Sequence, residues 1–140
     1  MTIPVWVLMA FAFWTLITLL MSVGIYRWSQ ILTKKMQIKD FRADQVEGSD
    51  FYCRAMRAHM NCIENLPVYG ALVLVIYIAG IQSQLLNALA LILLAARILQ
   101  TLIHLSFHPT NTTASFRFLF FFTQVICMFW MGIYTAVRLL

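Results

Sequence analysis

The chain has 140 residues, 62% of them hydrophobic and only 11% charged, with a formal net charge of +5. Soluble domains carry roughly a quarter charged residues, so this composition excludes one and points to an integral membrane protein. The bases lie among acids and beside apolar runs, which argues against nucleic acid as a partner.

A helix needs ~20 mostly apolar residues to cross a bilayer, and four stretches qualify: about 5–26, 51–80, 84–107 and 116–139. Backbone groups in lipid must be paired internally, and these runs are too long for barrel strands. The expected fold is therefore an all-α bundle of four transmembrane helices, one membrane domain over residues 1–140. The first stretch has no basic flank and no small-residue cleavage site, and its apolar run exceeds that of a signal peptide, so it reads as a helix. Residues 27–50 form the only real linker, mixing Arg27, Lys34, Lys35, Lys39 and Arg42 with Asp40, Asp44, Glu47 and Asp50. The second connection, around GIQSQ, carries no base, and the third, HPTNTTAS, leads to Arg117. The positive-inside rule then puts the first and third connections in the cytoplasm and both termini on the other side.

The second stretch opens with RAMRAHMNCIENLP. Arg54, Arg57, Asn61 and Glu64 recur at a 3-4-3 spacing that gathers them on one helical face; His59 falls elsewhere on the wheel. Counting back ~20 residues from Gly80 puts the hydrocarbon edge near Asn61 and Glu64. Charges there could simply be solvated or snorkel, but two further helices bring polar groups to the same end. The third stretch carries Arg97, Gln100, Thr101 and His104 in its final half, and the fourth carries Arg117 in its first turn and Gln124 two turns deeper. Intramembrane ionisable groups are costly and usually face a bundle interior or a wet cavity. Arg54, Arg57, Arg97 and Arg117 against Glu64 make a pocket suited to an anion. The planar guanidinium fork matches a carboxylate, and Glu64 is free to hold an ammonium.

Cys53, Cys62 and Cys127 form no CxxC pair or zinc spacing and read as small apolar fillers. His104 and His108 are four apart, but Pro109 marks a helix end and no third ligand follows, so no metal is expected. The sequon Asn111-Thr112-Thr113 falls on the side assigned to the cytoplasm and is discounted. No P-loop, HExxH, G-x-S-x-G or internal repeat is present.

RAMRAHMNCIENLP resembles the second-helix signature of the MAPEG superfamily, the membrane-associated proteins in eicosanoid and glutathione metabolism. That signature is close to R-x-x-R-A-[HQ]-x-N-x-x-E-x-x-P, and Arg54, Arg57, Ala58, His59, Asn61, Glu64 and Pro67 all match it. The resemblance extends over nearly the full length: four helices, a basic first loop, Arg97 in AARILQTLIH and an arginine opening the last helix. It implies a MAPEG-like homotrimer in a bacterial inner membrane, similar to bacterial-type microsomal glutathione transferases. Glutathione would be the co-substrate, bound between subunits near the cytoplasmic face, with a lipophilic electrophile or lipid arriving from the bilayer. Arg57, Asn61 and Glu64 would hold glutathione from the second helix with His59 nearby; Arg54, Arg97 and His104 complete the candidate binding set. Two carboxylates and one ammonium make glutathione the ligand that the charge argument asks for. Arg117 resembles the catalytic arginine that stabilises the thiolate, since an adjacent cation favours the nucleophilic form of a thiol.

The chain departs from the pattern at Cys53, where many members have glutamate, at His104, where active relatives often carry tyrosine, and at Phe118, where some use serine. The implied activity is a glutathione transferase or peroxidase. The alternative is a non-enzymatic lipid-binding or scaffold protein on the same fold. Small multidrug transporters also have four helices but need an acid in the first, and residues 5–26 carry no charge.

Overall fold

The computed structural model describes residues 2–42 and 46–140; Asp44, one of the linker acids, lies outside them. The described residues form four helices long and apolar enough to cross a membrane. The first is a continuous run built from α1 (Ile3–Thr18), a π-helical segment (Leu19–Gly24) and α2 (Ile25–Leu32). Then come a short 3₁₀ turn (Ile38–Asp40), α3 (Asp50–Ile78), α4 (Gln84–Ser106) and α5 (Asn111–Leu139). The chain is an integral, multi-pass, all-α membrane protein with the four-helix bundle expected from its apolar runs.

Local chemistry sets each helix end. Pro4 sits in the first turn of α1, where its missing N–H would have no intrahelical partner in any residue. The Ser49 hydroxyl accepts from Tyr52 N at 3.2 Å to cap α3, and Asp50 places a negative charge in the first turn, favourable against the helix dipole. α3 ends in a Schellman motif: Gly80 N donates to Tyr77 O at 3.1 Å and Ile81 N to Ile76 O at 3.2 Å, with Gly80 at φ +66°. Only glycine takes that backbone conformation without a Cβ penalty. Thr110 and Thr113 form a reciprocal capping box, so α5 starts at Asn111 rather than near residue 116. Arg117 is therefore in its second turn, not its first.

The first helix also runs further than the apolar stretch suggests, to Leu32 rather than Tyr26. Val7, Phe11, Thr15, Thr18 and Ser22 form its buried stripe. Its hydroxyls are satisfied by back-bonding, Thr15 to Phe11 O and Thr18 to Thr15 O, both at 2.9 Å, and Ser22 to Thr18 O. The π segment inserts extra residues into the turn and brings Val23 and Tyr26 against Tyr52, Ala55 and Met56 at the start of α3. There the Tyr26 and Tyr52 rings stack at 4.4 Å, Arg27 Nε donates to Tyr52 Oη at 2.9 Å, and Ser49 N donates to Tyr26 Oη at 3.2 Å.

The helices do not pack as a symmetric square. α4 packs against α1, α3 and α5; α5 leans mainly on α4 and touches α3 much less. The core is built around Phe11, Tyr69, Val73, Leu86, Leu93 and Met131. Outward faces are apolar, as with Phe13, Leu16, Leu91 and Phe129, which suits a surface in contact with hydrocarbon. The splay between α3 and α5, floored by α4, is what positions the site.

Candidate functional site

At the linker end of this splay lies a cavity of about 510 Å³, lined by Val46, Cys53, Arg57, Asn61, His104 and Arg117 together with Met56 and Met60. A second lobe of about 380 Å³ shares Asn61, His104 and Arg117 and adds Glu64, Gln100, Phe118 and Phe121. The three shared residues come from α3, α4 and α5 in turn, so both lobes belong to one cleft.

His104 is the hub of that cleft. It is buried on α4, with Asn61 Nδ2 3.2 Å from Nε2 and Arg117 Nη1 3.2 Å from Nδ1. A guanidinium can only donate, so Nδ1 accepts, and a neutral ring then carries its proton on Nε2. That proton requires an acceptor, so the satisfied arrangement turns the Asn61 amide to present its oxygen. His104 thereby aligns the Arg117 guanidinium and orients the α3 amide through its other nitrogen.

One turn earlier on α4, Gln100 holds Arg117 by its backbone: Nε2 donates to Arg117 O at 3.1 Å. Gln124 Nε2 donates in turn to Gln100 Oε1 at 2.9 Å and to Phe120 O at 2.8 Å, and Asn65 Nδ2 donates to Gln124 Oε1 at 3.4 Å. Gln100, Gln124 and Asn65 are all buried. A fully connected amide chain thus spans three helices beneath the cleft, where a half-satisfied one would be costly.

Of the residues picked out in sequence, Arg57, Asn61, Glu64, His104 and Arg117 come together around this cleft. Arg54 does not line it: its guanidinium pairs with Asp50, one turn back, and Nη1 lies 3.1 Å from His108 Nδ1. His59 is buried on another face of α3, with no partner for Nδ1 among the described residues. Arg97 lies two turns deeper on the same face of α4 as His104, fully buried over the Phe11 ring at 5.4 Å and outside the cleft lining, and its Nε and Nη2 have no hydrogen-bond partner among the described residues. The cleft therefore holds two arginines against one glutamate, not the four expected from the sequence.

Other contributors were less visible. Cys53 reads in sequence as a filler, yet it shares the cleft face because it is one turn before Arg57. Phe118 and Phe121 give the deeper lobe an apolar wall. Asn65 carries no sequence signal beyond following Glu64. Among the described residues, no group of three or more His, Cys, Asp or Glu is arranged to hold a metal ion.

A helical membrane bundle whose polar side chains converge from three helices at one end defines a membrane protein built to meet a polar or amphiphilic ligand at the bilayer edge. The chain matches the MAPEG family over residues 5–137 and belongs to that family. No curated protein and no solved structure matches it. Membership supports glutathione-transferase-like or eicosanoid-metabolism-like function in general terms.

Proposed function

We propose that this protein is a glutathione-dependent membrane enzyme acting on lipophilic electrophiles dissolved in the bilayer. The observation that carries the reading is the single cleft shared by Arg57, Asn61, Glu64, His104 and Arg117. Arg57 would take a glutathione carboxylate, Glu64 the ammonium, and Arg117, aligned by His104, would lie beside the sulfur. The thiolate lone pair then forms the S–C bond while the leaving group departs with its bonding electrons. Arg117 works by stabilising charge that is already present on sulfur and redistributes in the transition state. Peroxide reduction would use the same thiolate.

Arg57 and Glu64 are exposed on the isolated protomer. Charges on a membrane-crossing helix call for a polar partner, which supports a homotrimer in which a neighbouring copy closes the cleft. The bases of the linker favour a cytoplasmic cleft, in a bacterial inner membrane, with both termini on the far side. A cysteine at Lys39 should then be labelled only from the cytoplasm and one at Gln82 only from the opposite side.

The decisive experiment adds glutathione to the purified protein in nanodiscs and follows thiolate absorbance and calorimetric binding. A thiolate band should appear, and Arg57→Ala and Glu64→Ala should each weaken binding by about tenfold or more. Unchanged affinity in both variants would sink the site assignment. Binding without a thiolate band would instead favour a non-enzymatic carrier.

A further inference from the structure

The first spanning helix is longer than the hydrocarbon it crosses. Ile3–Leu32 has 30 residues, ~45 Å at ~1.5 Å per residue, against ~30 Å of hydrocarbon and ~40–45 Å with the headgroup layers included. Its last two turns, in α2, therefore lie among headgroups at the linker end of the bundle. Their outward side is apolar: Ile25, Trp28 and Leu32 recur at helical spacing and are 55%, 63% and 76% exposed. Trp28 suits this layer, where an indole meets both acyl chain and water.

The helix then stops in a Schellman turn. Lys34 N donates to Ile31 O and Lys35 N to Gln30 O, both at 3.0 Å, with Lys34 at φ +56°. Glycine is the usual residue in that conformation, and Lys34 is the one non-glycine residue with positive φ among the described residues. A cation anywhere in the last turn would suit the helix dipole, so the dipole does not account for a lysine at this strained position. The chain returns through the 3₁₀ turn that carries Lys39, and Phe41 docks under Arg27, whose guanidinium lies 5.5 Å from the ring centroid. Lys34, Lys35 and Lys39 are all exposed, and their ammonium groups have no partner among the described residues. The nearby acids are engaged: Asp40 accepts from Gln37 N at 2.9 Å, and Asp50 pairs with Arg54 and His108.

We propose that α2 and its terminal turn bind an anionic phospholipid, with Lys34, Lys35 and Lys39 holding the phosphate and the acyl chains lying along Ile25, Trp28 and Leu32. Both halves of the surface select this occupant. A soluble polyanion would leave the apolar side facing water, and a zwitterionic lipid brings its own cation against three others. A second copy has only Glu47 and Glu64 left among its described acids to answer three lysines, and Glu64 belongs to the cleft. The inference is independent of the glutathione reading. The same linker continues to Val46 in the cleft wall, so a lipid held here ties that wall to the headgroup layer.

The test uses the full chain in phosphatidylcholine nanodiscs doped with either phosphatidylglycerol or phosphatidylcholine carrying the same acyl-chain diazirine. At low salt, phosphatidylglycerol should label residues 25–39 about tenfold more than phosphatidylcholine, and the preference should shrink at high salt as exposed charges are screened. Lys34→Gly should reduce the preference about fivefold, the worth of one basic residue beside an anionic headgroup. Glycine favours the left-handed position, so this variant should unfold at the parent's midpoint or above it. Replacing Lys34, Lys35 and Lys39 together by glutamine should abolish the preference. Equal labelling by the two lipids in the parent would overturn the proposal. So would a preference that survives both Lys34→Gly and the triple variant, or cross-links that join residues 25–39 to another copy of the chain in place of lipid.

Discussion

Replacing Gln124 by leucine removes the central link of the amide chain while keeping roughly the same volume. Gln124 is fully buried, and its amide nitrogen makes its short contacts to Gln100 Oε1 at 2.9 Å and Phe120 O at 2.8 Å. Phe120 O keeps its helical backbone partner, so its loss matters little. Gln100 Oε1 is left buried without a donor, at about 1–3 kcal/mol. The Asn65 contact, at 3.4 Å, is long and adds less. Interhelical side-chain hydrogen bonds measured within membranes average only ~0.6 kcal/mol, because the unfolded-in-membrane state finds other partners. The two limits together give an expected loss of about 1–2 kcal/mol for Gln124→Leu. Gln100→Leu should cost a similar or smaller amount, since Gln124 Nε2 keeps Phe120 O. The double variant removes both partners and strands neither, so it should cost about 1 kcal/mol less than the sum of the single variants. Reversible unfolding in bicelles measures all three. Additivity within about 0.3 kcal/mol would refute a coupled chain and leave Arg117 O held by the α5 backbone alone.

Three other outcomes follow from the same geometry. Arg117→Ala should lower turnover with a generic aryl halide by ~10²–10³, with glutathione affinity nearly unchanged and the thiolate band lost; parallel loss of affinity and turnover would reduce Arg117 to a binding group. Arg97→Met should leave glutathione affinity within about threefold, because Arg97 faces Phe11 rather than the cleft, and calorimetry showing lost binding would contradict that placement. Gly48→Ala would set a Cβ 2.8 Å from Tyr26 Oη and 2.9 Å from Tyr52 Cδ1; separating this stacked pair should cost about 1–3 kcal/mol, and an unchanged unfolding midpoint would show that the linker yields instead.

How far the site was legible depended on what kind of regularity carried it. Arg57, Asn61 and Glu64 could be grouped from spacing alone, because a helix of 3.6 residues per turn fixes which positions share a face. The Asp50–Arg54 pair was also within reach as an i, i+4 couple of opposite charge, and recognising it would have removed Arg54 from the candidates. The π segment at Leu19–Gly24 left no such trace, and neither did the partnership of Arg54 with His108, which is set by the turn between α4 and α5.

The sequence by itself determined the number of spans, since hydrocarbon thickness dictates how many apolar residues a crossing needs. It also determined that polar groups from three helices gather at one end, and that the RxxRAHxNxxE face of α3 supplies part of the cleft. Tertiary packing alone decided which polar residues meet. Arg97 and His104 are two turns apart on α4 and both are buried, yet one lies over Phe11 of α1 while the other joins Asn61 and Arg117. A helix packed on three neighbours buries a broad arc, and periodicity cannot say which neighbour fills each part of it. That was settled by α5 leaning on α4 and away from α3, which left α4 open to the cleft at His104 while Phe11 of α1 covers Arg97 two turns deeper along the same face.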